Sequence, residues 1–220
     1  MEASFRNRRD AGRILASYLA QYADRPDVVI LALPRGGVPV GFELAQALRA
    51  PLDVIVVRKL GVPGHEELAM GAIASGGVRI LNGDVIQMLG IRPETIEGVA
   101  EQEQQELARR EGAYRGHRGP AAVKGRTVIL VDDGLATGST MRAAVAALRT
   151  MHPARIVIAV PTAASETCRE LKAEADDVVC AMTPVPFFGV GQWYDDFSQT
   201  TDEEVHRLLQ DAAGAAREDG

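Results

Sequence analysis

One stretch of the sequence gathers residue types that could do chemistry together: VILVDDGLATGSTMRAAVAALR, residues 128–149. An apolar run ends in two acids, Asp132 and Asp133, and a loop of mostly small residues, Gly134 to Thr140, then turns into a helical pattern. Backbone N–H groups in such a loop can converge on one cavity. The helix that follows adds the positive end of its dipole. Thr137, Ser139 and Thr140 add hydroxyl donors. The combination is a cup for a phosphate monoester. Ligands of open α/β sheets sit at the carboxyl ends of strands, where this loop falls.

Two carboxylates beside a phosphate cup would repel the phosphate, so they must hold something else. Ionised carboxylates only accept hydrogen bonds, and the adjacent hydroxyls of a sugar are natural donors. A ribose 5-phosphate fits, with its phosphate on the loop and its 2′ and 3′ hydroxyls on the acids. Acidic pairs that end strands also occur in phospho-acceptor and Mg²⁺ sites, and a Ser/Thr-rich helix start can be only an N-cap. The segment lacks the Gly-Lys-Ser/Thr of a P-loop, and its glycine spacing is not that of the dinucleotide fingerprint.

VILVDDGLATGST closely resembles the phosphoribosyl-diphosphate (PRPP) binding motif of the type I phosphoribosyltransferases, across thirteen residues in one block. Gly134 departs from that motif, where a branched aliphatic is commoner, and is expected to cost a little rigidity. The resemblance implies that Asp132 and Asp133 hold the ribose hydroxyls and bear on a metal indirectly or through PRPP. It implies that Ala136, Thr137, Gly138, Ser139 and Thr140 hold the 5-phosphate. The family's pyrophosphate loop, often with a strained peptide, is matched by LPRGGVPVG (33–41), with Arg35, Gly36 and Gly37 as binding residues. Arg58 and Lys59 are expected to end the next strand and to act on the leaving pyrophosphate. Residues 61–77, with His65, Glu66 and Glu67, match the position of the family's mobile catalytic loop.

Three further segments, FRNRRDAGRILA, RKLGVPGHEELAMGAIASGG and VGQWYDDFSQTTDEEV, are similar to a bacterial branch of predicted phosphoribosyltransferases of unsettled substrate. By the same resemblance a small hood, about 183–200 with or without residues 1–9, covers the acceptor. Phe187, Phe188, Trp193 and Tyr194 put four of the ten aromatics there; they either stack on a planar base or plug a loop. The implied reaction moves a 5-phosphoribosyl group from PRPP to an unidentified nitrogen acceptor, with Mg²⁺ as cofactor. The alternative is a PRPP-sensing regulator with little turnover. A homodimer follows from family habit alone.

The elements that must position these residues are legible as an alternation. VVILALP (28–34), DVIVVR (53–58), RTVILVD (126–132), ARIVIAV (154–160) and DDVVCAM (176–182) are continuous β-branched runs, as in strands buried on both faces. Helical stripes lie between them: Ile14, Leu15, Tyr18, Leu19 and Tyr22, then Met141, Ala144, Val145 and Leu148. The expected fold is α/β, one domain over 1–220, with a mostly parallel sheet flanked by helices. Residues 60–81, with five glycines and AMGAIA and VRIL joined by Ser75-Gly76-Gly77, form a hairpin excursion. Residues 93–115, with six glutamates and three arginines, form one long solvated helix. Thr201-Asp202-Glu203-Glu204 caps a short helix, and GAAREDG is expected to fray.

Composition bounds the rest. The chain has 220 residues, 46% hydrophobic and 25% charged, which is ordinary globular composition. Its net charge of −6 is matched by residues 195–220, with eight acids against two arginines, so the remaining body is neutral. That balance argues against DNA or RNA as partner. No apolar run approaches the ~18 residues of a membrane helix, and no secretory pattern is expected at the start. Cys168 and Cys180 are expected to be buried free thiols in a reducing cytoplasm.

Overall fold

Strands that are apolar on both faces need cover on both, and the fold supplies it. The computed structural model describes residues 4–116 and 118–218, without the side chains of 66, 67 and 215–218. In chain order the elements are α1 (Arg8–Ser17), β1 (Val28–Ala32), α2 (Gly37–Leu48), β2 (Leu52–Val54), β3 (Val57–Val62), β4 (His65–Ala74), β5 (Val78–Leu81), α3 (Gly83–Leu89), α4 (Pro93–Arg115), β6 (Thr127–Val131), α5 (Ser139–Thr150), β7 (Arg155–Thr162), α6 (Ser165–Leu171), β8 (Asp177–Met182) and α7 (Asp202–Glu218).

Five strands form a parallel sheet in the order β2-β1-β6-β7-β8. Alternate residues serve opposite cores. Val28, Ile30 and Ala32 of β1 face the core shared with α1, α2, α4 and α7; Val29 and Leu31 face the core shared with α5 and α6. The α5 stripe is buried as expected. The N-terminal stripe is only partly so: Leu15, Leu19 and Tyr22 are buried, but Ile14 and Tyr18 are exposed. Ile14 lies off the face of α1 that buries Ala11, Gly12, Leu15 and Ala16, and Tyr18 falls where α1 has ended, before a 3₁₀ turn at Ala20–Tyr22.

The 53–58 run is not one strand. Leu52–Val54 pairs with β1, and from Val57 the chain enters a second, antiparallel sheet, β3-β4-β5. No turn residue stands between Val54 and Val57, so an unbroken β-branched run conceals the change of sheet. Arg58 and Lys59 therefore lie inside β3 rather than at the end of a central strand. The hairpin itself forms as expected, β4 and β5 pairing around Ser75-Gly76-Gly77. Gly76 and Gly77 take φ of +82° and +75°, a region that disfavours other residues.

Helix α4 occupies the expected 93–115, but it is more than a solvated face. Ile96, Leu107 and Tyr114 are buried. So is Arg115, whose Nε donates to Asp53 Oδ1 at 2.9 Å and ties the helix to β2. Thr201 Oγ1 accepts from the Glu204 N–H at 3.1 Å and caps α7, which runs to Glu218 rather than stopping near Leu209. Residues 219–220 of the expected frayed tail lie outside the described residues. The two cysteines are not free. Helix α6 packs on β8, and Cys168 and Cys180 face each other and form a disulfide. Twelve-residue spacing gave no sign of that pairing, which comes from the α6–β8 turnback.

Candidate active site

Strands β1 and β6 are neighbours, but their connections leave in opposite directions, β1 toward β2 and β6 toward β7. The crevice at such a switch point is where open α/β sheets bind ligands. The Leu33 N–H donates to Val131 O at 2.8 Å, which sets the loop after β1 beside the loop after β6.

The loop after β6 is built as a cup. Gly138 takes φ +70°, and α5 starts at Ser139. A Cβ at Gly138 would come within 2.8 Å of Thr167 Cγ2, so glycine is required by space as well as by conformation. Thr167 Oγ1 donates to Ala136 O at 2.6 Å and props the loop from α6. The cavity, about 210 Å³, is lined by residues 134–141 with Asp132 and Val190. Lys59 reaches in from β3, its Nζ donating to Ser139 Oγ at 2.7 Å. A loop of small residues and the N-terminus of α5 thus line one small volume, with Lys59 bonded to its Ser139.

Asp132 lines this cup and Asp133 follows it in the chain, each partly buried. The Asp133 N–H donates to Asp132 Oδ1 at 2.8 Å. Burial, then the neighbouring Asp133 charge, pushes Asp132 well above the usual carboxylate range. Burial also raises Asp133, while the Arg8 guanidinium, bonded to its Oδ2 at 2.7 Å, opposes that shift.

The Arg35-Gly36-Gly37 loop leads into α2 immediately beside the acids. A Cβ on Gly36 would land on the Asp133 carboxylate, and one on Gly37 would come within 2.7 Å of Val131 O. Both glycines are needed for this approach. The Pro34–Arg35 peptide is cis. Arg35 Nη1 lies 3.6 Å from Asp202 Oδ1 at the start of α7.

The fold therefore brings together Asp132, Asp133, the 136–140 loop, the 35–37 loop and Lys59. It does not bring Arg58. Successive side chains of a strand point to opposite faces, and Arg58 Nε turns to α4 and donates to Glu103 Oε2 at 2.6 Å. His65 is exposed at the start of β4. The side chains of Glu66 and Glu67 lie outside the described residues.

The aromatic cluster divides. Phe188 is 79% exposed, whereas Trp193 and Tyr194 are each 6% exposed and have no free ring face to stack on a ligand. Tyr194 instead donates from its hydroxyl to Asp133 O at 2.6 Å, and burial keeps that hydroxyl protonated. The C-terminal segment is joined by the start of the chain. The Phe5 N–H donates to Trp193 O and the Asp195 N–H to Phe5 O, both at 2.8 Å. Residues 1–3 lie outside the described residues.

Sequence reasoning missed Arg8, Thr167, Val190 and the second role of Asp202. FRNRRD holds three arginines, and nothing in their spacing marks the one that turns inward. Val190 explains the departure at Gly134: a Cβ there would come within 2.5 Å of Val190 Cγ1. The space of a branched side chain is taken by a residue from the C-terminal segment. Among the described residues, no cluster of three or more His, Cys, Asp or Glu could cage a metal ion, and no helix is long and apolar enough to cross a membrane.

Three comparisons bear on this geometry. The family model for the phosphoribosyl transferase domain matches residues 5–195. Relatives from two strains of Mycobacterium tuberculosis, each provisionally named a phosphoribosyl transferase, are 47% identical over 208 residues, which is 94% of this chain and 47% of theirs. The chain thus spans about half the length of the curated relatives it matches. The crystal structure of TT1426 from Thermus thermophilus is 42% identical, with a TM-score of 0.85, and the match covers 94% of this chain and 98% of that one.

Proposed function

This chain belongs to the phosphoribosyl transferase domain family, and from that premise we propose that it moves a 5-phosphoribosyl group from PRPP to a nitrogen acceptor, releasing pyrophosphate. The observation that carries the proposal is the meeting of three features at one switch point: a helix-capped phosphate cup, a pair of acids at its rim, and a glycine loop with an arginine beside them.

The 5-phosphate sits on the 136–140 loop, with Lys59 adding a cation. Asp132 and Asp133 accept the 2′ and 3′ hydroxyls, and the Arg35-Gly36-Gly37 loop faces the diphosphate. Arg35 then exchanges its contact with Asp202 for the stronger charge of the leaving group. Bond breaking at C1 of the ribose leaves oxocarbenium character there, and the site contributes positioning and charge neutralisation. Hard carboxylate oxygens on Asp132 and Asp133 suit Mg²⁺ that arrives on the donor rather than in a protein cage. When bound, the ion would neutralise charge on the pyrophosphate. Of Phe188, Trp193 and Tyr194 as residues to stack on the acceptor, Phe188 alone presents an open ring. The reading places the reaction in the cytoplasm, with a second copy of the chain as an expected partner.

Asp132→Asn combined with Asp133→Asn tests the ribose assignment. PRPP affinity should fall at least ~30-fold, about 2 kcal/mol for two lost charged acceptors, while inorganic phosphate binding is retained. Wild-type PRPP affinity in the double variant would end the assignment. Pyrophosphate release across a panel of bases then separates a transferase from a sensor.

A further inference from the structure

Arg8 and Asp133 are 125 residues apart in sequence and meet beside the cup. The pair is largely buried, with side chains 12% and 15% exposed. Arg8 stands in the first turn of α1 and makes three contacts at once. Its Nε donates to Asp133 Oδ2 at 2.7 Å, its Nη1 donates to Ser198 O at 2.6 Å, and its guanidinium lies over the Phe197 ring at 3.9 Å. Phe197 in turn packs on Tyr194, with ring centroids 5.1 Å apart, and the Tyr194 hydroxyl holds Asp133 O. On the remaining side the Gly36 backbone closes against the same carboxylate. Both the side chain and the main chain of Asp133 are gripped from the two ends of the chain.

We infer that Arg8 is a positioning residue for the sugar subsite: by fixing Asp133 Oδ2 it leaves Oδ1 to accept the 2′ hydroxyl of the ribose, and so sets the preference for ribose over deoxyribose. The inference rests on the reading of Asp133 as a ribose acceptor. Arg8 acts through Asp133 and need not touch the ligand. A guanidinium suits the task because its planar fork can bond a carboxylate and a carbonyl while stacking on a ring. An ammonium offers the charge without that fixed geometry.

The test uses ribose 5-phosphate, 2-deoxyribose 5-phosphate and inorganic phosphate as probes, titrated calorimetrically into the full chain. In Arg8→Gln, ribose 5-phosphate affinity should fall ~10-fold, about 1.4 kcal/mol, with phosphate affinity unchanged. The ribose-to-deoxyribose ratio should collapse toward one. Arg8→Lys should recover part of that ratio, but not all of it. A merely structural pair would weaken all three probes in parallel or none, and either result overturns the inference. So would full recovery with lysine, which would reduce Arg8 to a point charge. If Arg8→Gln does not fold, Phe197→Ala leaves the guanidinium in place, removes its stacking face together with the Tyr194 ring contact, and should lower the ratio by ~2–3-fold, on the order of 0.5 kcal/mol for a stacked cation; an unchanged ratio overturns the inference. Failure of the underlying reading looks different. The wild-type chain itself would then bind ribose and deoxyribose phosphates alike.

Discussion

Arg58 and Lys59 are chain neighbours that serve different elements. Lys59 donates to Ser139 in the loop after β6, the proposed phosphate cup, and Arg58 pairs with Glu103 on α4. Lys59→Ala should therefore weaken inorganic phosphate and ribose 5-phosphate binding by ~10-fold, in the range for a lost charged hydrogen bond. Arg58→Ala should leave both affinities within ~2-fold, since its partner is a partly exposed helix carboxylate. Titration calorimetry on the two variants checks this. The acids set a pH signature. Asp132 is raised by burial and by Asp133, so the free site holds a proton above the pH, ~4, at which an ordinary aspartate loses it. Binding a sugar through the ionised form must release that proton. The ratio of ribose 5-phosphate to inorganic phosphate affinity should therefore rise with pH above ~4 and not level there. A flat ratio would mean that the sugar hydroxyls do not meet this carboxylate.

At the scale of elements, the paired loops depend on packing that arrives from far along the chain. Gly134 is small because Val190 fills the space beside it. Gly134→Val should destabilise the chain by ~1–3 kcal/mol through overpacking. Val190→Ala in the same chain should recover at least half of that loss, as read from urea midpoints. The cup, the acids and the central strands were legible because each is local: a β-branched run, two acids and a loop of small residues follow one another within thirteen residues. So were α4 and the β4–β5 hairpin, marked by Pro93 and by Ser75-Gly76-Gly77. What escaped was tertiary. The passage from β2 to β3 has no turn residue, so local spacing groups Arg58 with Lys59. The disulfide joins α6 to β8, and Tyr194 is buried against Phe5 and Ala11 near the start of the chain. None of these leaves a trace in local spacing.

At the scale of the molecule, the parallel sheet and the antiparallel β3–β5 sheet meet around one crevice, with Arg8, Tyr194 and the start of α7 closing on it. The family model matches residues 5–195, which include both loops of the crevice. The donor is the claim on which the rest depends. The most direct measurement is the melting temperature with PRPP, with and without Mg²⁺, beside ribose 5-phosphate and pyrophosphate alone. A ligand at 100 times its Kd adds about 2.7 kcal/mol to stability. For a chain of this size that is on the order of 5–10 °C. The account predicts a Mg²⁺-dependent shift with PRPP larger than either fragment produces. A shift with pyrophosphate or a nucleotide but none with PRPP would contradict it, and would leave the 134–140 loop as a general phosphate cup.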